Sequence, residues 1–332
     1  MTEPEIVDVQ VTDAEAGTRI DRFLGNRFYP TYSRSFLTGL IVSGAITVNG
    51  KPVRPAYRIV AGDAIRCALL PLADDTPGPE PALPLEVLHA DDHIVVVNKP
   101  AGMIVHPGPG QKSGTLVNAL LARYPELARV GVVFRPGIVH RLDGHTSGVM
   151  VVARTNHARV HLVEQFKTKR VKKEYHAVVL GEMPFDSDYV DLPIGHDPKH
   201  HERMAIDAEH GKPSSTFYEV IERFPGATYV KCFPHTGRTH QIRVHLAHVG
   251  FPIVADPVYG LKHAHAFSNL RKSRAAKGLS VPEMPRHALH ARKITFLHPV
   301  TEQSLTFEAN VPDDMLRLLE FYRQLAKEES RR

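Results

Sequence analysis

Cysteine is nearly absent from this chain: Cys67 and Cys232 are the only two in 332 residues. Two thiols in apolar, strand-like settings cannot supply the framework of a disulfide-stapled secreted domain, so a reducing cytoplasm is the expected compartment. Long apolar runs are missing too. No stretch approaches the roughly 18 residues that a membrane helix needs, and no membrane association is expected. The opening MTEPEIVDVQVTDAEAG is acidic and has no apolar h-region, which argues against a secretory signal. Neither GxGxxG nor GxxxxGK(S/T) occurs, which argues against dinucleotide and P-loop nucleotide binding. There is no HExxH and no CxxC pair. Although there are 21 histidines, and His240, His245 and His248 share one expected helix, no metal is expected.

Hydrophobic residues make up 42% and charged residues 23% of the chain, enough for a sizeable core, and the length suits two domains or one with an appendage. The net charge of +5 is mild, but its distribution is uneven. Between Thr18 and Cys67, eight cations (Arg19, Arg22, Arg27, Arg34, Lys51, Arg54, Arg58, Arg66) face only Asp21 and Asp63, a local charge of +6. Two further basic runs are Arg154–Lys173 and Arg271–Lys293. Clustered cations are what a polyanion-binding surface requires, although a solvated basic face has the same composition.

Residues 71–86, PLADDTPGPEPALPLE, hold five prolines and read as an extended linker. Before it, Ile20, Phe23, Leu24 and Phe28 fall at helical spacing. Ser33 is placed to cap a second helix whose apolar face is Phe36, Leu37, Leu40 and Ile41, with Gly44 as its stop. Ala45–Val48 and Lys51–Val53 flank Asn49-Gly50, a pair that tolerates the positive φ angles of a type I′ hairpin turn. Ala64–Leu69 reads as a closing strand. This stretch, SRSFLTGLIVSGAITVNGKPV with the later VAGD, resembles the S4 RNA-binding domain. The resemblance implies RNA contacts from the Arg-bearing face of the second helix and the loop before it. Arg22, Arg34, Lys51 and Arg54 are the candidates. A small cap that only packs on the body is the alternative.

After the linker, strands are expected at Glu86–Ala90, Ile94–Asn98, Gly137–His140, Val149–Arg154, Tyr175–Gly181, Thr216–Arg223, Thr228–Phe233 and Leu289–Phe296. Helices are expected at Thr115–Arg123, Asn156–Lys169 and Thr239–Val249. Because strands and helices do not alternate strictly, the pattern predicts an α+β fold with a mixed, largely antiparallel sheet flanked by helices. The expected organisation is a tail at 1–17, the S4-like domain at 18–70, the linker at 71–86 and a catalytic domain at 87–325. Asp197–Arg203 reads as a polar loop, and Tyr259 and Leu246 as core.

The densest polar cluster is His140-Arg141-Leu142-Asp143-Gly144-His145-Thr146-Ser147-Gly148, set between the apolar runs GIV and VMVVA. A positioned, ionised carboxylate beside cations can act as a nucleophile or stabilise a ribosyl cation. On residues alone, a structural Asp–Arg pair stapling a turn explains the cluster as well.

Further segments extend the pattern: Asn98–Pro107 (NKPAGMIVHP), Lys173-Glu174-Tyr175, Thr236–His245 (TGRTHQIRVH) and Asp256–Gly260 (DPVYG). With residues 140–148 they resemble, in order, the motifs of the RluA/RluD family of pseudouridine synthases, from roughly Val87 to Ala309. The resemblance implies a cofactor-independent isomerase that turns uridine into pseudouridine in RNA, with Asp143 as the catalytic aspartate. It places Tyr175 against the flipped base, as a candidate for assisting proton removal from C5. It pairs Arg243 with Asp143, and it has Arg141 fill the space the uridine vacates. Arg238 and backbone donors at a helix start near Arg238-Thr239 would meet phosphate. The S4-like domain suits the ribosomal branches of the family better than the small tRNA-acting ones, and the resemblance leans to the RluD branch. Large-subunit rRNA or ribosomal precursor particles are therefore the expected partner, and a monomer is expected. The alternatives are a catalytically silent RNA-binding or assembly factor with the same fold, and a carboxylate glycosidase. The second needs a further carboxylate that the Asp143 motif does not offer.

Overall fold

The computed structural model describes residues 4–28, 32, 34–69, 77–108, 111–132, 134–200, 203–260 and 282–330. They fall into two units: Met1–Pro81 with His106–Ser113 and Val117–Gly137, and Ala82–Val105 with Gly114–Leu116 and Ile138–Arg332.

In the first unit, α1 (Ile20–Arg27) and α2 (Arg34–Val42) lie with a sheet of β1 (Glu5–Gln10), β2 (Ile46–Val48), β3 (Lys51–Pro52) and β4 (Ala64–Leu69). The sheet order is β1-β4-β2-β3, antiparallel throughout. The expected helical spacing has a simple cause in the packing: Ile20, Leu24, Leu37 and Ile41 close over Ile46, Ile65 and Leu69, all essentially without exposure. Asn49 and Gly50 both take positive φ, 51° and 76°, as a type I′ turn requires. Ser33 lies outside the described residues.

Residues 1–17, expected as a tail, instead contribute β1, which pairs with β4 from Glu5↔Leu69 to Gln10↔Ala64. The acidic composition masked a period-2 alternation, in which Val9 and Val11 are buried in the unit's core and Val7 packs against it. The later part of the expected linker is also fixed, because Asn118 donates to Gly78 O (2.8 Å) and accepts from Glu80 N (3.0 Å). Residues 71–76 lie outside the described residues. The unit also holds the short ladder of β7 (Gly131–Val132) and β8 (Arg135–Pro136) and most of α3 (Leu116–Arg123).

The second unit is built on a nine-stranded sheet. Its strands are β5 (Glu86–Ala90), β6 (Ile94–Lys99), β9 (Ser147–Ala153), β10 (Lys172–Leu180), β11 (Ser187–Asp191), β14 (Ser215–Phe224), β15 (Ala227–Pro234), β16 (Leu289–Leu297) and β17 (Ser304–Glu308). The order is β11-β14-β15-β10-β16-β9-β6-β5, with β17 pairing β16. Every pairing is antiparallel except β16 with β9, so the sheet is mixed and largely antiparallel, as the sequence pattern predicts. A two-stranded hairpin, β12 (Ile194–His196) and β13 (Met204–Ile206), brackets the polar loop Asp197–Arg203. Helices α4 (Asn156–Lys167), α5 (Gln241–His248) and α6 (Asp313–Glu329) complete the unit.

The strand expected at Gly137–His140 is reduced to a single bridge, Ile138↔Val152. Gly137 turns through φ 70°, and the ring of His140 accepts from Val151 N (3.1 Å), using a donor that a ladder partner would otherwise take. Helix α6 was not expected. It buries Met315, Leu318, Leu319, Tyr322 and Leu325 along one face, and Arg286 grips Asp314 in its first turn with two bonds of 2.7 and 2.9 Å. Of the basic run Arg271–Lys293, residues 271–281 lie outside the described residues, and Arg286, Arg292 and Lys293 are each ion-paired.

Candidate active site

The motif loop 140–148 ends in β9, an interior strand of the sheet that is buried along its whole length. Gly148 makes this possible: at φ +122°, a Cβ there would lie 2.2 Å from Ala291 O on β16, so no other residue fits. Between these anchors the loop is held from several sides. Lys99, fully buried, donates from Nζ to Pro100 O (2.8 Å), Met103 O (2.7 Å) and Gly144 O (3.1 Å). Thr146 bonds to His287 Nε2 at 2.8 Å. His290 Nε2 faces Ala309 O (3.1 Å) and therefore carries its proton, which leaves Nδ1 to accept from Ser147 Oγ (2.9 Å). Burial pushes the imidazoles of His287 and His290 down to about 3 and about 4, so both are neutral struts.

Asp143 thus reaches a pocket whose other walls include Tyr175 and Lys173 from β10, Thr236 and Arg238 from the loop after β15, and Arg243 from α5. Arg243 Nη1 donates to Asp143 Oδ2 at 3.1 Å. The same guanidinium forks onto Asp256, with Nε to Oδ2 at 2.7 Å and Nη2 to Oδ1 at 2.9 Å. Asp256 Oδ1 also accepts from Val258 N (2.9 Å) and Tyr259 N (3.0 Å). Burial alone would raise the Asp256 carboxyl, but the bonds and charge of Arg243 outweigh it and hold the group below the usual range. Arg243 is therefore locked by one carboxylate and aimed at another.

Tyr175 is half-buried, and its phenol is pushed above the ordinary tyrosine range by burial and by the Asp143 charge. It keeps its proton at neutral pH, which removes a phenolate from the possible bases and leaves its ring as a wall of the pocket. Burial lowers the Lys173 amine to about 8, and it donates to Thr236 O at 2.7 Å.

The structure therefore gathers Asp143, Tyr175, Arg243, Arg141 and Arg238 around one cavity. Arg141 and Arg238 are exposed at its edge, and Arg238 leans on Pro213 O at 3.3 Å. Helix α5 starts at Gln241, after the expected Arg238-Thr239, because Gln241 reaches back to Arg238 N (3.0 Å) and Thr236 Oγ (2.6 Å) and ties down the preceding loop. His245 is a core residue, bonded to Thr216 Oγ (2.9 Å) and Leu192 O (3.0 Å). The remaining candidates belong to the first unit. Arg22, Lys51 and Arg54 are exposed with no ion-pair partner among the described residues, whereas Arg34 grips the buried Asp21 at 2.7 Å.

The chain matches the family model described as RNA pseudouridylate synthase over residues 93–248 and the S4 domain over residues 18–65. It is 43% identical to the ribosomal large subunit pseudouridine synthase D of Neisseria meningitidis over 309 residues, which covers 93% of this chain and 79% of that one. The chain belongs to the RluA/RluD family of RNA pseudouridine synthases. The synthase D of Nitrosomonas europaea is 40% identical, over 96% of this chain and 88% of that protein. An uncharacterised RNA pseudouridine synthase of Bacillus subtilis is 38% identical, over 96% and 98%. Among solved structures, human RNA pseudouridylate synthase domain containing 4 is similar with a TM-score of 0.52 and 27% identity, covering 72% of this chain and 93% of that one. Sequence reasoning quoted the segments holding Lys99, Lys173, His240, Asp256 and Tyr259 but gave none of these residues a part in the site. Asp256 was within reach, because the DPVYG segment following an Arg-bearing helix offers a second acid with no other assigned task. Tyr259, expected as core, is buried as expected and also reaches the site through its hydroxyl.

Proposed function

We propose that this synthase converts uridine to pseudouridine in large-subunit ribosomal RNA, acting as a monomer in the cytoplasm, with Asp143 as the carboxylate that works on the nucleoside. The observation that carries this reading is the Asp143–Arg243–Asp256 chain at the pocket: an exposed edge of one carboxylate, held in place by a cation that is itself immobilised. C1′ and C5 of a stacked uridine are out of reach, so the nucleotide flips into the pocket, with Tyr175 against the base. The N1–C1′ bond breaks, the uracil turns, a C5–C1′ bond forms and the C5 proton is exchanged for one on N1. The product is an isomer, and no electrons are gained or lost. Arg141 and Arg238 at the rim meet the RNA around the vacated position, while Arg22, Arg34, Lys51 and Arg54 of residues 18–70 hold it elsewhere. The relatives named as large-subunit synthases support the choice of rRNA.

The test has two arms. Pseudouridine is mapped across rRNA and tRNA from cells with and without the gene, with loss of at least one large-subunit site expected. Asp143→Asn, nearly isosteric but uncharged, is assayed by tritium release from RNA labelled at uridine C5. It should bind RNA normally and release no tritium. Activity within tenfold of wild type would remove Asp143 from its assigned role.

A further inference from the structure

His240 stands immediately before α5 in the left-handed region, at φ 56° and ψ 18°, a conformation uncommon outside glycine though enriched for His, Asn and Asp. Its backbone carbonyl accepts from Val244 N (2.9 Å), so the turn is built into the helix start. The effect of this turn is to bring the imidazole into the pocket, where Nε2 lies 3.9 Å from Asp143 Oδ2. The other ring nitrogen, Nδ1, is 2.9 Å from Tyr259 Oη. That hydroxyl already accepts from Met204 N (3.0 Å) on β13, so its own proton is free for Nδ1. A neutral imidazole that accepts at Nδ1 must carry its hydrogen at Nε2, facing Asp143. Burial, opposed by the Asp143 charge, lowers the affinity of His240 for a second proton. The approach to Asp143 is therefore that of a neutral N–H donor.

Arg243 and His240 both address Oδ2, and among the described residues Oδ1 receives no hydrogen bond. Building on the role proposed above for Asp143, we propose that His240 is a positioning residue: its Nε2–H, set by the Tyr259 hydroxyl, closes on Oδ2 when uridine binds and leaves Oδ1 as the oxygen presented to the nucleoside. A gap of 3.9 Å in the free enzyme fits this, because catalytic hydrogen bonds commonly tighten only in the complex. Tyr259 is suited to its part, since its ring is held between the guanidinium groups of Arg203 and Arg243, each 5.1 Å from the centroid. It also joins the β12–β13 hairpin to the catalytic carboxylate through two hydrogen bonds and one imidazole.

The experiment combines the tautomer with kinetics. The full-length protein is labelled with ¹⁵N-histidine, and the His240 signals are identified by their loss in His240→Asn. Wild type should show the Nε2–H tautomer, and Tyr259→Phe a mixture of both. Single-turnover tritium release in Tyr259→Phe should fall with the fraction of His240 left in the Nε2–H form, roughly twofold for an even mixture, with KM for RNA little changed. His240→Gln places an amide N–H near the Nε2 position, whereas His240→Asn, equally at home in the left-handed turn, reaches only as far as Nδ1. The Gln variant should therefore be about tenfold faster than the Asn variant. An Nδ1–H tautomer in wild type, or equal rates for the two His240 variants, would overturn the proposal. The tautomer measurement needs no turnover. If wild-type enzyme left uridine unconverted, the function proposed above would fall while the placement of the His240 hydrogen was still decided.

Discussion

Replacing Asp256 by Asn exchanges one carboxylate oxygen for an amide nitrogen, and the surroundings of that atom set the cost. Oδ1 takes three N–H donors, from Arg243 Nη2, Val258 and Tyr259, and an Asn carbonyl oxygen in the same place keeps all three. Oδ2 takes only Arg243 Nε, and there the amide sets donor against donor. The Arg243 and Asp256 side chains are 5% and 0% exposed, so the bond lost is a buried, charge-assisted one, while Asp143 remains as counter-ion to the guanidinium. Losing such a bond costs about 1.5–3 kcal/mol. At about 2–4 °C per kcal/mol for a domain of this size, the melting temperature should fall by roughly 3–12 °C. The freed guanidinium will swing toward Asp143, so kcat should fall while RNA affinity holds. There is also a signature in pH. The Asp256 carboxyl is held low in the folded state, so the stability it gives is present above the unfolded value of about 3.9 and is lost as pH falls through the lower folded one. Wild type should lose stability steeply below about pH 4, and Asp256→Asn more shallowly. Thermal melts across pH 3–7, with tritium release at pH 7.5, measure all three effects. A variant melting within about 2 °C of wild type and retaining half its kcat would refute the argument that Asp256 aims Arg243.

Two further outcomes follow from other parts of the molecule. Burial lowers the Lys99 amine to about 7, whereas an unfolded lysine keeps its proton to about 10.4. Between these values the unfolded state binds more protons, so urea midpoints of wild type should rise from pH 7 to pH 9, and those of Lys99→Met should rise less, with Lys173 still contributing above about pH 8; parallel curves would count against the assignment. For the first unit, the triple change Arg22→Ala, Lys51→Ala, Arg54→Ala should lower the slope of log affinity against log salt by about 2, at 0.7–0.9 per lost phosphate contact, with single-turnover rates at saturating RNA unchanged. An unaltered slope in filter-binding titrations would mean that these cations do not meet phosphate. The triple change is a cleaner probe than removal of residues 1–80, because Gly78 and Glu80 are bonded to Asn118.

The parts of the fold that were legible were those where one local signal dominated. Asn49-Gly50 forces its hairpin whatever surrounds it, and the apolar runs of β6 and β9 are buried on both faces. Strand β11 was hidden because Ser187–Asp191 is mostly exposed and polar at the sheet edge, and β12 and β13 are too short for a period to show. Helix α6 was readable, with Pro312 before it, two acids in its first turn and apolar residues at Met315, Leu318, Leu319 and Tyr322. Of the site, the motif loop stood out as a polar cluster between two apolar runs, and the Arg243 pairing came from the family resemblance alone. The pairing of Arg243 with Asp256, and the placing of His240 between Asp143 and Tyr259, depend on distances between segments that no linear pattern contains.

The pocket is assembled from distant parts of the chain. Asp143 and Arg243 are 100 residues apart, and β9 pairs in parallel with β16, the strand that begins at Leu289. During synthesis, then, the carboxylate emerges long before the cation that aims it, the struts His287 and His290, and the strand beside it. Contacts of such span form late and slowly. A nascent chain halted between about residues 70 and 285 would carry the S4 domain yet lack β16, the strand beside the Asp143 loop. The activity should therefore appear only once β16 has been made and has joined β9.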